Sequence, residues 1–268
     1  MRTDLIHAFR SKLSEGPVIG PFCKTEDPAM IESFGCAGMD FVILDLEHGP
    51  ADNARLGGLI RAAELSGALP VVRVGSVAAI GRALDQGALA VQIPHISTAE
   101  AAREAIRHAR FAPAGDRGVC RYVRAAAYGT QNRFDYFRAA NEALVILQVE
   151  GKEGLENLDA ILDVPGFDIL FLGVYDLSQS LGRTGEVDHP DVWNALETVA
   201  KKCSERGCMA GTFVEEIDRA RAMADLGLNY LCYSVDVGIL ADAATRIITQ
   251  ITAQITAHIT AGTLSRKS

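Results

Sequence analysis

Phe41-Val-Ile-Leu-Asp-Leu-Glu-His-Gly-Pro50 opens as an unbroken apolar run. It then sets Asp45, Glu47 and His48 at its end and turns at Gly49-Pro50. An apolar residue at every position fits a strand buried on both faces, not one with a wet side. Finishing such a strand in two carboxylates and an imidazole costs on the order of several kcal/mol per unpaired charge unless something compensates. The plain reading is a capped strand end that leads into a solvated loop. The sharper reading is half of an active site.

Outward from this stretch a strand–helix rhythm repeats. Val18 to Cys23 is a strand, Pro28 to Cys36 a helix closed by Gly35 and Gly38, and Asp40 to His48 the second strand. Asn53 to Ser66 is helical and ends at Gly67; Pro70 to Val74 is the third strand, and Val77 to Gln86 a helix stopped by Gly87. Leu89 to Ile93 is the fourth strand, followed by a helix from Thr98 to Ala109. Residues 110–142, rich in Arg, Gly and Tyr, break the period, and irregular backbone with short helical turns is expected there. The rhythm resumes with strands at Leu144 to Glu150, Phe167 to Gly173, Met209 to Val214 and Leu231 to Val235. Helices are expected from Gly154 to Leu162, Pro190 to Glu205, Glu216 to Leu226 and from near Gly238.

Eight strand–helix units over 268 residues predict a (β/α)8 TIM barrel, for which about 250 residues is typical. The competing fold, an open doubly wound sheet, wants a Gly-rich phosphate turn after an early strand, and no G-x-G-x-x-G is present. The whole chain, 1–268, reads as one barrel domain, with residues 1–16 as an N-terminal helix and 238–268 as a C-terminal helical extension. In that extension Ile251, Ile255 and Ile259 recur every fourth residue and form one stripe, fit to dock on the barrel or on a partner subunit.

The formal net charge is −8 and no basic tract occurs, which argues against nucleic acid as a partner. The longest apolar runs fall short of a membrane span, and the N-terminus lacks a signal-peptide core. Six cysteines without C-x-x-C or zinc spacing read mostly as buried thiols in a reducing, cytoplasmic compartment.

In a barrel the chemistry sits at the C-terminal ends of the strands. Strand two supplies Asp45, Glu47 and His48; strand three Arg73; strand five Gln148 and Glu150; strand six runs out through Gly173-Val-Tyr-Asp-Leu-Ser178, which contains Asp176; strand eight ends at Ser234 and Asp236. Arg73 could be a structural ion-pair partner, but a planar cationic fork among carboxylates suits a carboxylate ligand better. Glu150 and Asp176 could cap helices, yet two acids on neighbouring strands are better explained by a bound divalent cation, and oxygen-only ligation points to Mg²⁺ or Mn²⁺. His48 is placed to be a ligand or a base; His95, at the end of strand four, is a weaker candidate. Only Lys24 and Lys152 lie near strand ends, both on the loop side, which disfavours a Schiff-base mechanism. No Gly-rich turn follows strands seven and eight, which disfavours a phosphorylated substrate.

The ordered set L-D-L-E-H-G-P (44–50), V-V-R-V (71–74), A-L-D-Q-G-A (83–88), G-D-R-G-V (115–119), L-Q-V-E (147–150) and F-L-G-x-x-D-L-S (171–178) resembles the HpcH/HpaI aldolases, metal-dependent (class II) pyruvate aldolases, across most of the chain. The resemblance implies Glu150 and Asp176 as metal ligands for Mg²⁺ or Mn²⁺, with Co²⁺ a further option. It implies Arg73 on the ketoacid's carboxylate and oxo oxygen, His48 as base paired with Asp45, and Gln148 beside the ketoacid. It implies the backbone N–H groups of Gly173, Val174 and Tyr175 as a carboxylate cradle, and Glu47 as a supporting acid. Asp85 matches a family acid that reaches a neighbouring subunit's site. A homo-oligomer follows, a hexamer built from dimers that exchange the last helix.

The implied activity is reversible cleavage of a 4-hydroxy-2-oxoacid to pyruvate, or a related 2-oxoacid, and an aldehyde, through a metal-stabilised enolate. Alternatives are an acyl-CoA lyase of the citrate lyase β or malyl-CoA lyase type, a decarboxylating or condensing enzyme using the same enolate, and a non-catalytic metabolite-binding barrel. The chain departs from the family pattern at Tyr175, where a small residue is usual, at Arg110-Phe-Ala-Pro113, and across 120–133. These departures bear on the aldehyde partner.

Overall fold

The computed structural model describes residues 2–265, with side chains through residue 256. Eight parallel strands close into a barrel in sequence order. They are β1 (Val18–Cys23), β2 (Phe41–Asp45), β3 (Leu69–Arg73), β4 (Ala90–Ile93), β5 (Leu144–Val149), β6 (Ile169–Leu172), β7 (Met209–Val214) and β8 (Leu228–Val235). Helices α1 (Thr3–Glu15), α2 (Pro28–Cys36), α3 (Asn53–Ser66), α4 (Ile80–Asp85), α5 (Ala99–Ala109) and α6 (Arg133–Ala140) belong to the first half. The second half carries α7 (Lys152–Glu156), α8 (Leu158–Leu162), α9 (Val174–Ser180), α10 (Pro190–Glu205), α11 (Ile217–Asp225) and α12 (Asp236–Ser265). This is the expected (β/α)8 barrel.

The strands are apolar throughout because both their faces are covered. Alternate positions point to opposite sides of a strand. Phe41 and Ile43, Leu69 and Val71, Leu144 and Ile146, Ile169 and Phe171, with Tyr230, fill the barrel interior. Val42 and Leu44, Val72, Val91, Val145 and Leu147 face the helices. Helix α1 closes the floor with Ile6, Phe9 and Leu13, and Phe9 meets the rings of Phe41 and Tyr230 edge-on. Continuing the inward series upward gives Asp45 on β2, Arg73 on β3, Gln92 on β4 and Gln148 on β5. The first three are in register across adjacent strands, Asp45 against Arg73 and Arg73 against Gln92. The interior is thus apolar below and polar at its top, and the polar layer faces the mouth.

Several boundaries differ from expectation for local reasons. The second strand stops at Asp45, not His48, because the Asp45 carboxylate accepts the N–H groups of Glu47 (3.1 Å) and His48 (3.2 Å) and folds the chain into a turn. The expected helix 154–162 is two short helices, broken at Asn157, whose amide donates to the Ser97 carbonyl at 2.9 Å. The segment 110–142 is largely irregular, as expected, but includes the eight-residue α6, capped by the Asn132 carboxamide. Helix α9 forms in what reads from sequence as a strand exit. Helix α12 leaves Leu240, Ile247, Ile248, Ile251 and Ile255 exposed. Ile259 of the expected stripe lies outside the residues whose side chains are described. Among the described residues, no helix is long and apolar enough to cross a membrane.

Candidate active site

The polar layer is built around one ion pair. Arg73 straddles Asp45 with its fork, Nε donating to Oδ1 at 2.9 Å and Nη2 to Oδ2 at 2.6 Å. Both residues are buried. The guanidinium lies over the Phe22 ring, 4.4 Å from its centroid, and Nη1 faces Glu47 Oε2 at 3.2 Å. Lys24, one residue past β1, adds a second cation to Asp45, with Nζ 3.0 Å from Oδ2. Asp236 sets the backbone that carries it: its carboxylate accepts the N–H groups of Lys24 and Thr25 and the Thr25 hydroxyl. Burial alone pushes the Asp45 carboxyl up, but the hydrogen bonds and charges of Arg73 and Lys24 together outweigh it and bring it down to about 2.

This corrects one expected pairing. Asp45 meets His48 only through that residue's backbone N–H. Its carboxylate is committed to Arg73 and Lys24, and among the described residues the exposed His48 ring has no hydrogen-bond partner. His48 still lines the same cavity, of about 190 Å³, as Lys24, Arg73, Gln148, Tyr175 and Asp176.

Glu150, at the end of β5, is the second centre. Gln92 Nε2 donates to Gln148 Oε1 at 2.5 Å, and Gln148 Nε2 in turn donates to Glu150 Oε2, so oriented amides lead up to the carboxylate. The His95 N–H donates to Glu150 Oε1 at 2.7 Å. The His95 ring bridges two acids, with Nδ1 2.8 Å from Glu150 Oε1 and Nε2 2.9 Å from Glu47 Oε1. It does so from a backbone φ of 58°, a left-handed conformation that a non-glycine residue holds only when its surroundings enforce it. Gly173 is required beside this group, because a Cβ there would come within 2.9 Å of the Glu150 side chain. Burial pushes the Glu150 carboxyl up and the charge of Asp176 adds to this, against the Gln148 and His95 hydrogen bonds. Glu150, Asp176 and His95 line a cleft of about 510 Å³ that joins the Arg73 cavity at Asp176.

The mouth therefore carries four carboxylates, Asp45, Glu47, Glu150 and Asp176, against two cations, Arg73 and Lys24. Glu47 Oε2 is buried and accepts no hydrogen bond. The excess of two negative charges and the carboxylate oxygens of Glu150 and Asp176 suit a hard divalent cation held between those two residues. No group of three or more His, Cys, Asp or Glu side chains among the described residues forms a ready metal cage. Two ligands with open positions is the arrangement of a site completed by substrate and water.

Other expected residues fall as follows. The Gly173 N–H is already taken by the Val149 carbonyl at 2.9 Å. This leaves the N–H groups of Val174 and Tyr175, in the first turn of α9, for a ligand. Asp85 ends α4, just before the lower end of β4, and pairs with the buried Arg117 at 2.7 Å. Within this protomer it is not brought to the mouth. Sequence reasoning gives too little weight to Lys24, Gln92 and His95. The available signals are a polar residue inside the buried run Ala90-Val-Gln-Ile93 and a lysine directly after a strand.

A family model described as HpcH/HpaI aldolase/citrate lyase matches residues 19–243. A hydroxypyruvate/pyruvate aldolase of Roseobacter denitrificans is 34% identical over 90% of this chain and 96% of its own length. A 5-keto-4-deoxy-D-glucarate aldolase of Shigella boydii is 33% identical over 89% of this chain and 94% of its own. Among solved structures, an HpcH/HpaI aldolase/citrate lyase family protein from Burkholderia cenocepacia superposes with a TM-score of 0.86 at 33% identity, covering 93% of this chain and 99% of that one.

Proposed function

The chain belongs to the HpcH/HpaI aldolase/citrate lyase family and is a class II aldolase, a carbon–carbon lyase; from that premise we propose that it cleaves a 4-hydroxy-2-oxoacid reversibly to pyruvate, or a related 2-oxoacid, and an aldehyde. The single observation that carries this reading is the mouth's charge arrangement. A clamped guanidinium, two outward carboxylates and an accessible imidazole surround two joined cavities.

Family membership brings a divalent cation. We assign it as Mg²⁺ or Mn²⁺, with Co²⁺ a further option, from the oxygen-only donors Glu150 and Asp176. When bound, the cation supplies Lewis-acid polarisation of the ketoacid's 2-oxo group. The protein's own groups do the rest. Arg73 places a fixed positive charge beside the carboxylate and oxo oxygen, where negative charge grows as the C3–C4 bond breaks. Its fork is already oriented by Asp45, so no reorganisation is needed at that moment. The N–H groups of Val174 and Tyr175 hold the ketoacid carboxylate from the other side, and Gln148 sits next to it. His48 takes the proton from the C4 hydroxyl and returns one to C3 of the enolate. Being exposed, its ring can reach a hydroxyl at the cavity edge.

Two further parts of the reading concern assembly. Asp85 acts in a neighbouring subunit's site, a reading supported by its place at the end of α4, paired with Arg117. Helix α12 presents an apolar stripe to solvent in the protomer, which supports exchange of this helix between subunits of a hexamer. The chain is then one catalytic barrel with helical ends. Six free cysteines support a reducing cytoplasmic setting.

The test is pyruvate release from a panel of 4-hydroxy-2-oxoacids, with and without Mg²⁺ or Mn²⁺. Turnover should vanish on exhaustive chelation and return with either ion; full activity after chelation would overturn the reading. In the same assay His48→Ala should lower kcat for cleavage by roughly 10²–10⁴-fold, the usual contribution of a positioned acid–base group. The pyruvate inhibition constant should stay near its original value. A matched loss of pyruvate binding would instead make His48 a binding group.

A further inference from the structure

Behind Tyr175 lies a third cavity that the chemistry above leaves unused. Its volume, about 200 Å³, matches the roughly 190 Å³ of the cavity holding Arg73, and Val174, Tyr175 and Phe213 line both. Tyr175 is the most exposed of these three shared wall residues. Its hydroxyl donates to Glu215 Oε2 at 2.5 Å, and its ring stands edge-on to Phe213 with centroids 5.8 Å apart. The side chain is 44% exposed, so these two contacts, not close packing, hold it in place. Removing the ring would give up one hydrogen bond and one ring contact and take away a wall common to both spaces.

The lining decides what the joined space accepts. Val187, Trp193, Phe213 and Val214 give it an apolar, partly aromatic wall. Arg219 is its one cation, and that charge is spent inside the protein: it pairs with Asp188, donates to the Val187 carbonyl at 2.9 Å and lies over the Trp193 ring at 5.5 Å. Glu215 and Glu216 remain, so the cavity is net negative. An anionic tail is repelled there, whereas an uncharged aromatic or branched body finds contact.

We propose that Tyr175, latched to Glu215, limits the size of the aldehyde half of the substrate, and that the cavity behind it is an overflow subsite for an uncharged aromatic or branched substituent. This rests on the aldolase reading, and the experiment separates the two. The chain has one tryptophan, Trp193, on the subsite wall, so occupancy can be followed by its emission without turnover. Benzaldehyde is titrated into the full-length wild type, Tyr175→Ala, and Tyr175→Ala with Val187→Phe, which refills the cavity. The emission change should saturate at about 10-fold lower benzaldehyde in Tyr175→Ala, and the gain should disappear in the refilled variant.

In the condensation direction with pyruvate, kcat/KM for benzaldehyde relative to glycolaldehyde should rise about 10-fold or more in Tyr175→Ala. It should rise less in Tyr175→Phe, which loses the latch but keeps the ring. Succinic semialdehyde, which carries a carboxylate, should gain nothing over glycolaldehyde. Equal benzaldehyde affinity in wild type and Tyr175→Ala, a gain that survives refilling, or a larger gain for succinic semialdehyde would each overturn the proposal. Absence of turnover with every aldehyde would overturn the aldolase reading, and the emission titration would still decide the subsite.

Discussion

Glu150→Gln should abolish metal-dependent turnover, lowering kcat by roughly 10³-fold or more, because the lost Lewis-acid stabilisation is worth several kcal/mol at about 1.4 kcal/mol per decade. The substitution keeps the side chain's volume and an oxygen for the His95 N–H, which now sits 2.7 Å from Oε1. It removes the charge and, with Oε2, the acceptor of the Gln148 amide. Affinity for Mn²⁺, read by calorimetry without substrate, should fall along with activity. Stability should change much less, because two effects oppose: the Gln148 hydrogen bond is lost and a buried charge is removed. Burial and the neighbouring Asp176 push the Glu150 carboxyl up, so the fold disfavours its ionised form, and a neutral side chain relieves that cost. A thermal midpoint close to the wild-type value, together with lost Mn²⁺ binding, would separate a ligand from a structural acid. Unchanged Mn²⁺ affinity would remove Glu150 from the donor set. Asp176→Asn should act in the same direction on binding.

The barrel is legible in the sequence because its strands are apolar at every position, a pattern that survives without knowledge of partners. The site is legible where a polar residue interrupts such a run: Asp45, Arg73, Gln148 and Glu150 all lie on inward positions of buried strands or directly after one. What stays hidden depends on backbone geometry. His95 lies in a loop, and nothing in Pro94-His-Ile-Ser97 announces the φ of 58° that aims its ring between Glu47 and Glu150. Lys24 reads from sequence only as a poorly placed amine nucleophile, whereas its position serves as a second cation on Asp45. The pairing of Asp45 with the His48 ring fails for a related reason. Neighbours in sequence at a strand end compete with a residue directly opposite on the next strand, and β3 puts Arg73 in register with Asp45. Helix α9 escapes a sequence reading because its run, Val174 to Ser180, is only seven residues long, with Val174 and Leu177 alone marking an apolar face, and it forms where the chain leaves β6.

Arg73→Ala should produce the largest combined loss of activity and stability. Asp45 would keep one cation, Lys24 at 3.0 Å, beside the backbone N–H groups of Glu47 and His48, and the fork over Phe22 would be gone. Removing one partner of a buried pair leaves an uncompensated charge and costs about 3–5 kcal/mol, measurable as a lower midpoint in urea. The acid limb reports the same interaction with a definite sign. In the wild type the Asp45 carboxyl sits at about 2, below its unfolded value, so its contribution is complete above that unfolded value and is lost as pH falls towards 2. Without Arg73 the burial penalty is no longer outweighed, the carboxyl rises, and acid unfolding should begin at higher pH. Adding Asp45→Asn to Arg73→Ala removes the stranded charge and should recover part of the stability in the double-mutant cycle. It should recover none of the activity, since the positive charge at the ketoacid oxygens is still missing; kcat/KM should remain about 10²–10³-fold down. Arg73→Lys supplies the discriminating control. It keeps a charge but loses the planar fork that meets Asp45 through two bonds. If Arg73 served only to neutralise Asp45, the Arg73→Lys variant would regain stability and activity together relative to Arg73→Ala; if Arg73 must also face the ketoacid in a fixed orientation, stability should return further than kcat/KM does.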